Sequence, residues 1–571
     1  MAGVRYAVGV IRRAAGLLAL AGLLWSALLI VTAAASHPLR EVPARLGGFP
    51  GWLRGPLSGT GYLLRPSQFA TLVLVMAAWY LLALACAPAL RAGWTIGAVV
   101  LLHVVFLLGP PLISSDVFGY LDWARMDVLH ALNPYVTASG SVPSDPVYGF
   151  LSWHRGVSPY GPLFTVGSYA LAPLGVPAGL WALKLLVTLS SLGCVALIWA
   201  GARTLARPPL PGILLYGANP AVLVYAVGGF HNDTITTAAI VGAVYLVLRG
   251  RERAGALVGA AAVALKSSAG VVMPFLVLGA RDRWRALLAA VVGAAAALAL
   301  ALAAFGSHAF GFLHALSDQE NRNSGTSVAA QLGALFGWVG SPPPVRLAAS
   351  VIGVLVILAL LVRTWRGSDW VASAGWATLA VMVTSAYLLP WYIVWLVPLA
   401  ALGASRALRV ASVAMTLFVI LVRLVPELQP TSGPPVTAAS ALSAVVMPLE
   451  GGPQQPARTS LGLHEPLARA FERAWEAERR MKTGRDFRPV RRSSSRCRAL
   501  EPDPGPRRDQ RWSCRVSYLT RAGARGRASY LVALDPRACF TATSRDHPAQ
   551  VFERVLARPA ANPLAHFRSC P

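Results

Sequence analysis

Residues 97–126 read "GAVVLLHVVFLLGPPLISSDVFGYLDWARM". The apolar part belongs to a run from about residue 93 to 113. Such a run, wound as a helix, crosses ~30 Å of hydrocarbon. Backbone groups in lipid must bond within their own segment, and the run is too long and unbroken for a barrel strand. The chain then turns polar at once, and Asp116 and Asp122 follow directly. A membrane helix that hands over to two acids sets the reading of the rest.

The whole chain repeats the pattern. It has 571 residues, 55% hydrophobic and 13% charged, with a mean hydropathy of +0.55. A soluble domain has roughly 25% charged residues. Apolar runs fall at 14–36, 68–90, 93–113, 163–177, 179–201, 210–229 and 234–248, then at 286–305, 345–362, 370–389, 391–404 and 409–425. The stretch 255–280 lies between two basic loops, "RGRER" and "RDRWR", and Gly270 and Pro274 permit a re-entrant hairpin of two short helices. The expected fold is an all-α polytopic membrane protein with about twelve or thirteen membrane helices. A small C-terminal α+β domain completes it. The N-terminal run exceeds a signal-peptide core of about 7–15 residues, so it is expected to stay as an uncleaved first helix.

The net charge of +27 brings nucleic acid to mind, but no aromatic-basic binding motif accompanies it. No nucleic-acid partner is expected; the lipid bilayer is. Arginines sit in the short loops between spans, as the positive-inside rule requires of cytoplasmic loops. With the N-terminus inside, one face collects the loop 114–161, the turn "GFHND" (229–233), the loop 307–343 and "LLPWY" (388–392). These segments are expected to be extracytoplasmic, in the plasma membrane.

On that face, Ser114 or Ser115 caps a surface helix with Asp116 in its first turn. Val117, Leu121, Ala124 and Val128 are its expected buried side, and Asn133-Pro134 its end. At about 100° per residue Asp116, Tyr120 and Trp123 share a face, while Asp122 lies about 120° away beside Arg125. Asp116 can take a proton from a hydroxyl or bind a divalent cation; its plainer role is a helix cap. For Asp122 the plain alternative is an i,i+3 pair with Arg125. Tyr160 in "SPYGPLF" lines a pocket or stiffens a helix entry. His231, Asn232 and Asp233 offer three hydrogen-bonding side chains at a turn. Lys266, one of three lysines, stands inside an apolar stretch, where a charge is a functional hypothesis by default. It can meet a lipid phosphate or snorkel. Arg322, in "LSDQENRNSGTSV", can hold a phosphate or a sugar. Trp391 and Tyr392 anchor at the interface or stack on a sugar ring. No metal cluster is evident, since His231 and Asp233 alone are insufficient; the metal expectation is none, with a divalent cation left open.

The aromatic opening of the first polar loop, "NPY", "PYGPL", "NPAVLVYAVGGFHND", "GALVGAAAVALK" and "PWY" together resemble the GT-C superfold glycosyltransferases. The likeness covers roughly residues 1–430. It is greatest to the polyprenol-phosphate-mannose-dependent α-1,6-mannosyltransferases of bacterial lipoglycans. The resemblance implies a polyprenyl-phosphate sugar donor, a glycan or glycolipid acceptor, and inversion at the anomeric carbon. An acid of the first large outer loop is then the base, and that position matches Asp116. Lys266, Arg322 or Arg125 would stabilise the leaving phosphate. Mannose is implied only by the likeness, and Asp122 departs from the acid-pair spacing of better-known members.

Two competing readings remain. A lipid or polysaccharide transporter or flippase predicts repeats and mid-membrane charges, which the sequence lacks apart from Lys266. A membrane scaffold leaves the one-sided polar clusters unexplained. Within the enzyme class, the donor sugar is open to a pentose or another hexose.

Domain boundaries are read at 1–450 for the membrane part and 451–571 for a small polar, Arg-rich unit. In the latter, "LGLHEPLARAFERAWEAERRM" is an amphipathic helix, "SSSRCRALEPDPGPRRDQ" a loop, "RWSCRVSYLT" and "ASYLVALD" strands, and "PAQVFERVLA" a short helix. Cys497, Cys514, Cys539 and Cys570 suggest two disulfides, with Cys497–Cys514 and Cys539–Cys570 the chosen pairing of three. Disulfides require an oxidising side; with 409–425 as the last span the unit is expected outside the cell, and the short run "VTAASALSAVVM" would reverse this if it crossed.

Overall fold

The computed structural model describes residues 2–36, 49–151, 156–320, 324–335, 341–428 and 460–483, and in the tail 492–500, 510–519, 525–534, 540–544, 546–547, 550–553 and 558–569. Contacts divide the chain into two units. One holds residues 1–322, 326–329 and 343–429; the other holds 430–571 with the short segments 323–325 and 330–342.

The first unit is helical. Among the described residues, six helices are long and apolar enough to cross a membrane: Tyr6–Ser36, Pro66–Ala89, Pro162–Thr204, Arg283–His308, Pro343–Trp365 and Arg406–Leu424. Five shorter apolar helices accompany them: Ala92–Leu107, Asp233–Leu248, Ser267–Gly279, Trp370–Thr384 and Pro390–Leu402. Leu287, Leu288, Val291 and Val292 on one long helix and Val351, Ile352 and Leu355 on another are exposed. In water these rows would aggregate; in lipid they are solvated.

The run 210–229 is not the single span that its composition suggests. A helix Pro209–Gly217 stops, and a wide π-type turn Val222–Val227 follows. Pro220 supplies no N–H, and Asn219 accepts the N–H groups of Ala221 and Val222 at 3.0 and 3.3 Å instead. Asn219 also donates to Tyr80 and Thr416. A buried polar network thus pins the break, and unpaired polar groups here would be costly.

The stretch 252–280 folds back on itself as two short helices. Helix Glu252–Leu265 breaks at Lys266, which adopts φ −155° and ψ 126°, and Met273–Gly279 leads back. The Glu252 carboxylate accepts the N–H groups of Arg281 and Asp282 at 2.6 and 3.0 Å. The two ends of the hairpin therefore lie together, and Lys266 sits at its far tip.

The helix Asp116–His130 lies over this bundle. Val117, Leu121 and Ala124 are buried as expected, but Val128 is 45% exposed. The helix ends at His130, earlier than Asn133-Pro134. Ala131 turns left-handed at φ 52°, and its N–H and that of Leu132 close on Asp127 and Met126. That closure satisfies the last carbonyls.

The tail packs helix Ser460–Thr483 on one face of an antiparallel sheet through Phe471, Ala474, Trp512, Val516 and Tyr530. The strands are β1 (Arg492–Ala499), β2 (Gln510–Leu519), β3 (Arg525–Leu534), β4 (Phe540–Ser544), β5 (Gln550–Glu553), β6 (Arg558–Ala561) and β7 (His566–Ser569). The larger sheet runs β1-β2-β3-β4-β7, and β5 pairs β6. Two expectations are corrected. Residues 492–499 form a strand, not a loop, because Ser495 and Cys497 turn toward the core while Arg496 and Arg498 turn out. Gln550–Glu553 is a strand paired with β6, not part of a helix. Cys497 and Cys514 face each other across β1 and β2 and form a disulfide. Cys539 and Cys570 lie outside the described residues.

Candidate active site

The turn 228–233 is built by close packing. A Cβ on Gly229 would lie 2.4 Å from the Tyr225 carbonyl and 2.7 Å from His231 Cδ2, so only glycine fits. Phe230 takes a left-handed φ of 52°. The chain then presents His231, Asn232 and Asp233 in succession, all buried.

His231 stacks on Trp391, with ring centroids 3.7 Å apart and planes 13° apart. Its Nδ1 lies 3.5 Å from Asp116 Oδ2. Burial, and then the nearby Lys266 charge, hold the imidazole well below its usual pKa. A neutral ring therefore lies beside Asp116, whose side chain is 18% exposed. Asp116 opens its helix, and its N–H donates to Ser114 Oγ at 3.1 Å. The first turn of a helix favours a carboxylate.

Asp233 is occupied. Its two oxygens each lie 2.8 Å from Lys266 Nζ, and Trp395 Nε1 donates to Oδ1 at 2.9 Å. The Lys266 ammonium also stands over the rings of Tyr160, Tyr392 and Trp395 at 5.4, 5.5 and 5.7 Å. Aromatic faces attract such a cation. Gly161 brings Tyr160 there: its N–H donates to the Leu265 carbonyl, and a Cβ would lie 2.2 Å from the Ala264 carbonyl.

Tyr120 closes the group. Its hydroxyl lies 3.5 Å from Asn232 Oδ1 and accepts the Asn232 N–H at 3.4 Å. Burial, followed by Asp116 and Asp233, raises its phenol well above the ordinary value, so it stays protonated and available as a donor. Its ring meets Tyr160 edge-on at 5.1 Å.

The structure thus gathers Asp116, Tyr120, Tyr160, His231, Asn232, Asp233, Lys266, Trp391 and Tyr392. It sets Asp122 and Arg125 apart. Asp122 Oδ2 accepts from Ser139 Oγ and the Gly140 N–H at 2.8 and 3.2 Å. Arg125 Nε binds both oxygens of Asp145 at 2.9 and 3.1 Å, rather than Asp122. His130 reaches the same carboxylate at 2.9 Å. These residues tie the loop 131–151 to its helix. Arg322 lies outside the described residues.

Three residues escaped the sequence reading. Trp395 falls one helical turn beyond Trp391 and Tyr392, which was a usable signal. Asp145 had none. Lys184 is fully buried with its Nζ 3.2 Å over the Trp181 ring and 5.1 Å from Phe230; the rarity of lysine in the chain pointed to it. Among the described residues, no three His, Cys, Asp or Glu side chains converge as for a metal ion.

A family model described as "Alpha-(1->6)-mannopyranosyltransferase, N-terminal domain" matches residues 13–281. A model described as "MptB C-terminal domain" matches residues 325–449. Among curated relatives, "Alpha-(1->6)-mannopyranosyltransferase A" of Mycobacterium tuberculosis is 28% identical over 341 residues, which is 54% of this chain and 65% of that protein. A "Probable alpha-(1->6)-mannopyranosyltransferase" of Mycolicibacterium smegmatis is 25% identical over 436 residues, 64% of this chain and 77% of that protein. The Corynebacterium glutamicum "Alpha-(1->6)-mannopyranosyltransferase A" is 29% identical over 182 residues, 30% of this chain and 36% of that protein. The chain therefore spans just under two thirds of the first of these relatives. No solved structure matches.

Proposed function

We propose that this chain, similar to the GT-C-like alpha-(1->6)-mannopyranosyltransferases, transfers mannose from a polyprenyl-phosphate donor to a glycan or glycolipid acceptor at the outer face of the plasma membrane. Asp116 is the base. The observation that carries this reading is the placement of Asp116 Oδ2 3.5 Å from the buried ring of His231, in the same aromatic-lined group as Lys266.

The reaction balances as follows. The acceptor O–H gives its proton to Asp116. Its oxygen forms the new bond to the anomeric carbon. The bond from that carbon to the phosphate oxygen breaks, and polyprenyl phosphate leaves with the electron pair. A β-linked donor becomes an α-glycoside. Lys266, held in place by Asp233, stabilises the charge growing on the leaving phosphate, where a preorganised cation acts most strongly. Tyr120 and Asn232 are placed to hydrogen-bond sugar hydroxyls. Tyr160 and Tyr392 offer ring faces.

The test is Asp116→Asn in membranes, with accumulation matched to the parent. Transfer is read from radiolabelled polyprenyl-phosphate mannose to a mannoside acceptor. Transfer by the parent and its loss in the variant support the reading. Full activity in the variant removes Asp116 as base. No transfer by the parent, under conditions where another lipid-linked sugar is used, overturns mannose.

A further inference from the structure

The family models end at residue 449, so the tail lies beyond them. After residue 450 the sequence has 24 basic and 11 acidic side chains, about half of the chain's net +27. The sheet sorts this charge. Residues that alternate along a strand point to opposite faces. Trp512, Cys514, Val516, Ala528 and Tyr530 face the helix and are buried. Arg496, Arg498, Arg515, Arg525 and Arg527 occupy the other face, and all five are exposed.

Two features make this face more than a solvated surface. Arg496 and Arg515 are direct cross-strand partners, and like charges opposite each other destabilise a sheet. Among the described residues, none of the five arginines has an ion pair with a carboxylate. Asp546 instead accepts the Ser529 N–H. The same face also carries Ser494, Ser513, Ser517, Ser529 and Thr543, with Leu519 and Leu531 among its aliphatic members. No Trp, Tyr or Phe stands among them, so the face lacks the stacking platform that single-stranded nucleic acid uses. It is a two-dimensional array of guanidinium groups, suited to many phosphates in a plane.

We propose that this arginine face of the tail sheet docks on an anionic bilayer, with lipid phosphates as its ligands. The tail is covalently joined to a membrane-spanning unit, so such a surface is always close in sequence space and at high local concentration.

The test uses the full chain in nanodiscs of phosphatidylcholine alone, where the tail has no anionic lipid beneath it. These are mixed with sucrose-loaded vesicles of phosphatidylcholine, or of phosphatidylcholine with 30% phosphatidylglycerol, and spun down. Retention on the anionic vesicles only, lost in ~0.5 M salt as expected of surface electrostatics, is the expected result. Each basic residue near such a surface contributes about fivefold. Arg496→Gln with Arg515→Gln and Arg527→Gln should therefore weaken retention on the order of a hundredfold. The matching triple lysine variant should keep it, because charge and not fork geometry is required. Equal retention on neutral vesicles, or full retention by the triple glutamine variant, overturns the proposal. So does displacement of the vesicles by a phosphate-bearing glycan or nucleic acid at micromolar concentration.

Discussion

The ammonium of Lys266 lies 2.8 Å from each carboxylate oxygen of Asp233, at the tip of a re-entrant hairpin and the start of the next helix. The pair links two segments 33 residues apart in sequence. It places a cation beside Tyr160 and Tyr392 and leaves Asp233 with no free role as a base. Asp116, beside the ring of His231, is the carboxylate proposed as the base.

Removing one member of this pair strands the other. Breaking a buried ion pair costs about 3–5 kcal/mol. Asp233→Asn and Lys266→Met should each lower thermal stability in detergent, and Lys266→Met should also reduce transfer by about 100- to 1,000-fold. The double variant separates the two effects. Its melting temperature should recover most of the loss, while transfer stays low. Recovery of transfer in the double variant would show that Lys266 is structural.

In the proposed mechanism His231 acts through Asp116, so its variant should show a rate effect and not a binding effect. His231→Gln should lower kcat by about ten- to a hundredfold, the scale of a misplaced catalytic group, with KM for the donor nearly unchanged. Trp391→Leu should give a smaller fall of the same kind, because it removes the ring on which His231 lies. A rise in KM with unchanged kcat would instead put His231 in ground-state binding.

The membrane fold was legible because hydrocarbon leaves one solution to a run of apolar residues, and the hairpin was legible because basic loops flank it. The face shared by Asp116 and Tyr120 followed from helical period alone. Other features were not legible for physical reasons. The π turn at Val222–Val227 depends on Asn219 bonding to Tyr80 and Thr416, which are far away in sequence. The pairing of Lys266 with Asp233 is likewise a tertiary fact. Strand β1 was obscured because serines and a cysteine, not large apolar residues, form its inward side. The sequence argument offered Arg125 only Asp122; the more distant Asp145 takes its place because a folded loop brings it close.

The loop ties titrate in opposite directions. Burial raises Asp145, but Arg125, the Val147 N–H and His130 together outweigh it and leave the carboxyl below its usual value. Its contribution is thus complete above the unfolded value near 4 and is lost as pH falls through the lower folded value. Burial raises Asp122, only partly offset by Ser139 and Gly140. Its charged form is disfavoured, so Asp122 adds stability as pH falls. Asp122→Asn should leave the loop and the transfer rate within about twofold, since an amide oxygen accepts the same two hydrogen bonds. Asp145→Asn should loosen residues 131–151 at neutral pH. Hydrogen exchange between pH 4 and 7 reads both; equal effects of the two variants would refute the assignment.

The Cys497–Cys514 disulfide closes a loop with a sequence separation of 17. A loop of that length corresponds to about 3 kcal/mol of stabilisation through the unfolded chain. Reduction, or Cys497→Ser with Cys514→Ser, should therefore make the tail sheet exchange faster by about two orders of magnitude. The membrane helices should be unaffected, because among the described residues the disulfide lies in the tail's own apolar core with Phe471, Trp512 and Tyr530. The same bond reports the compartment, since it persists only on an oxidising side. In intact cells with thiols blocked before lysis, the pair should resist alkylation until a reductant is added. Free thiols at both positions would place the tail on the reducing side and remove the bond from its stability.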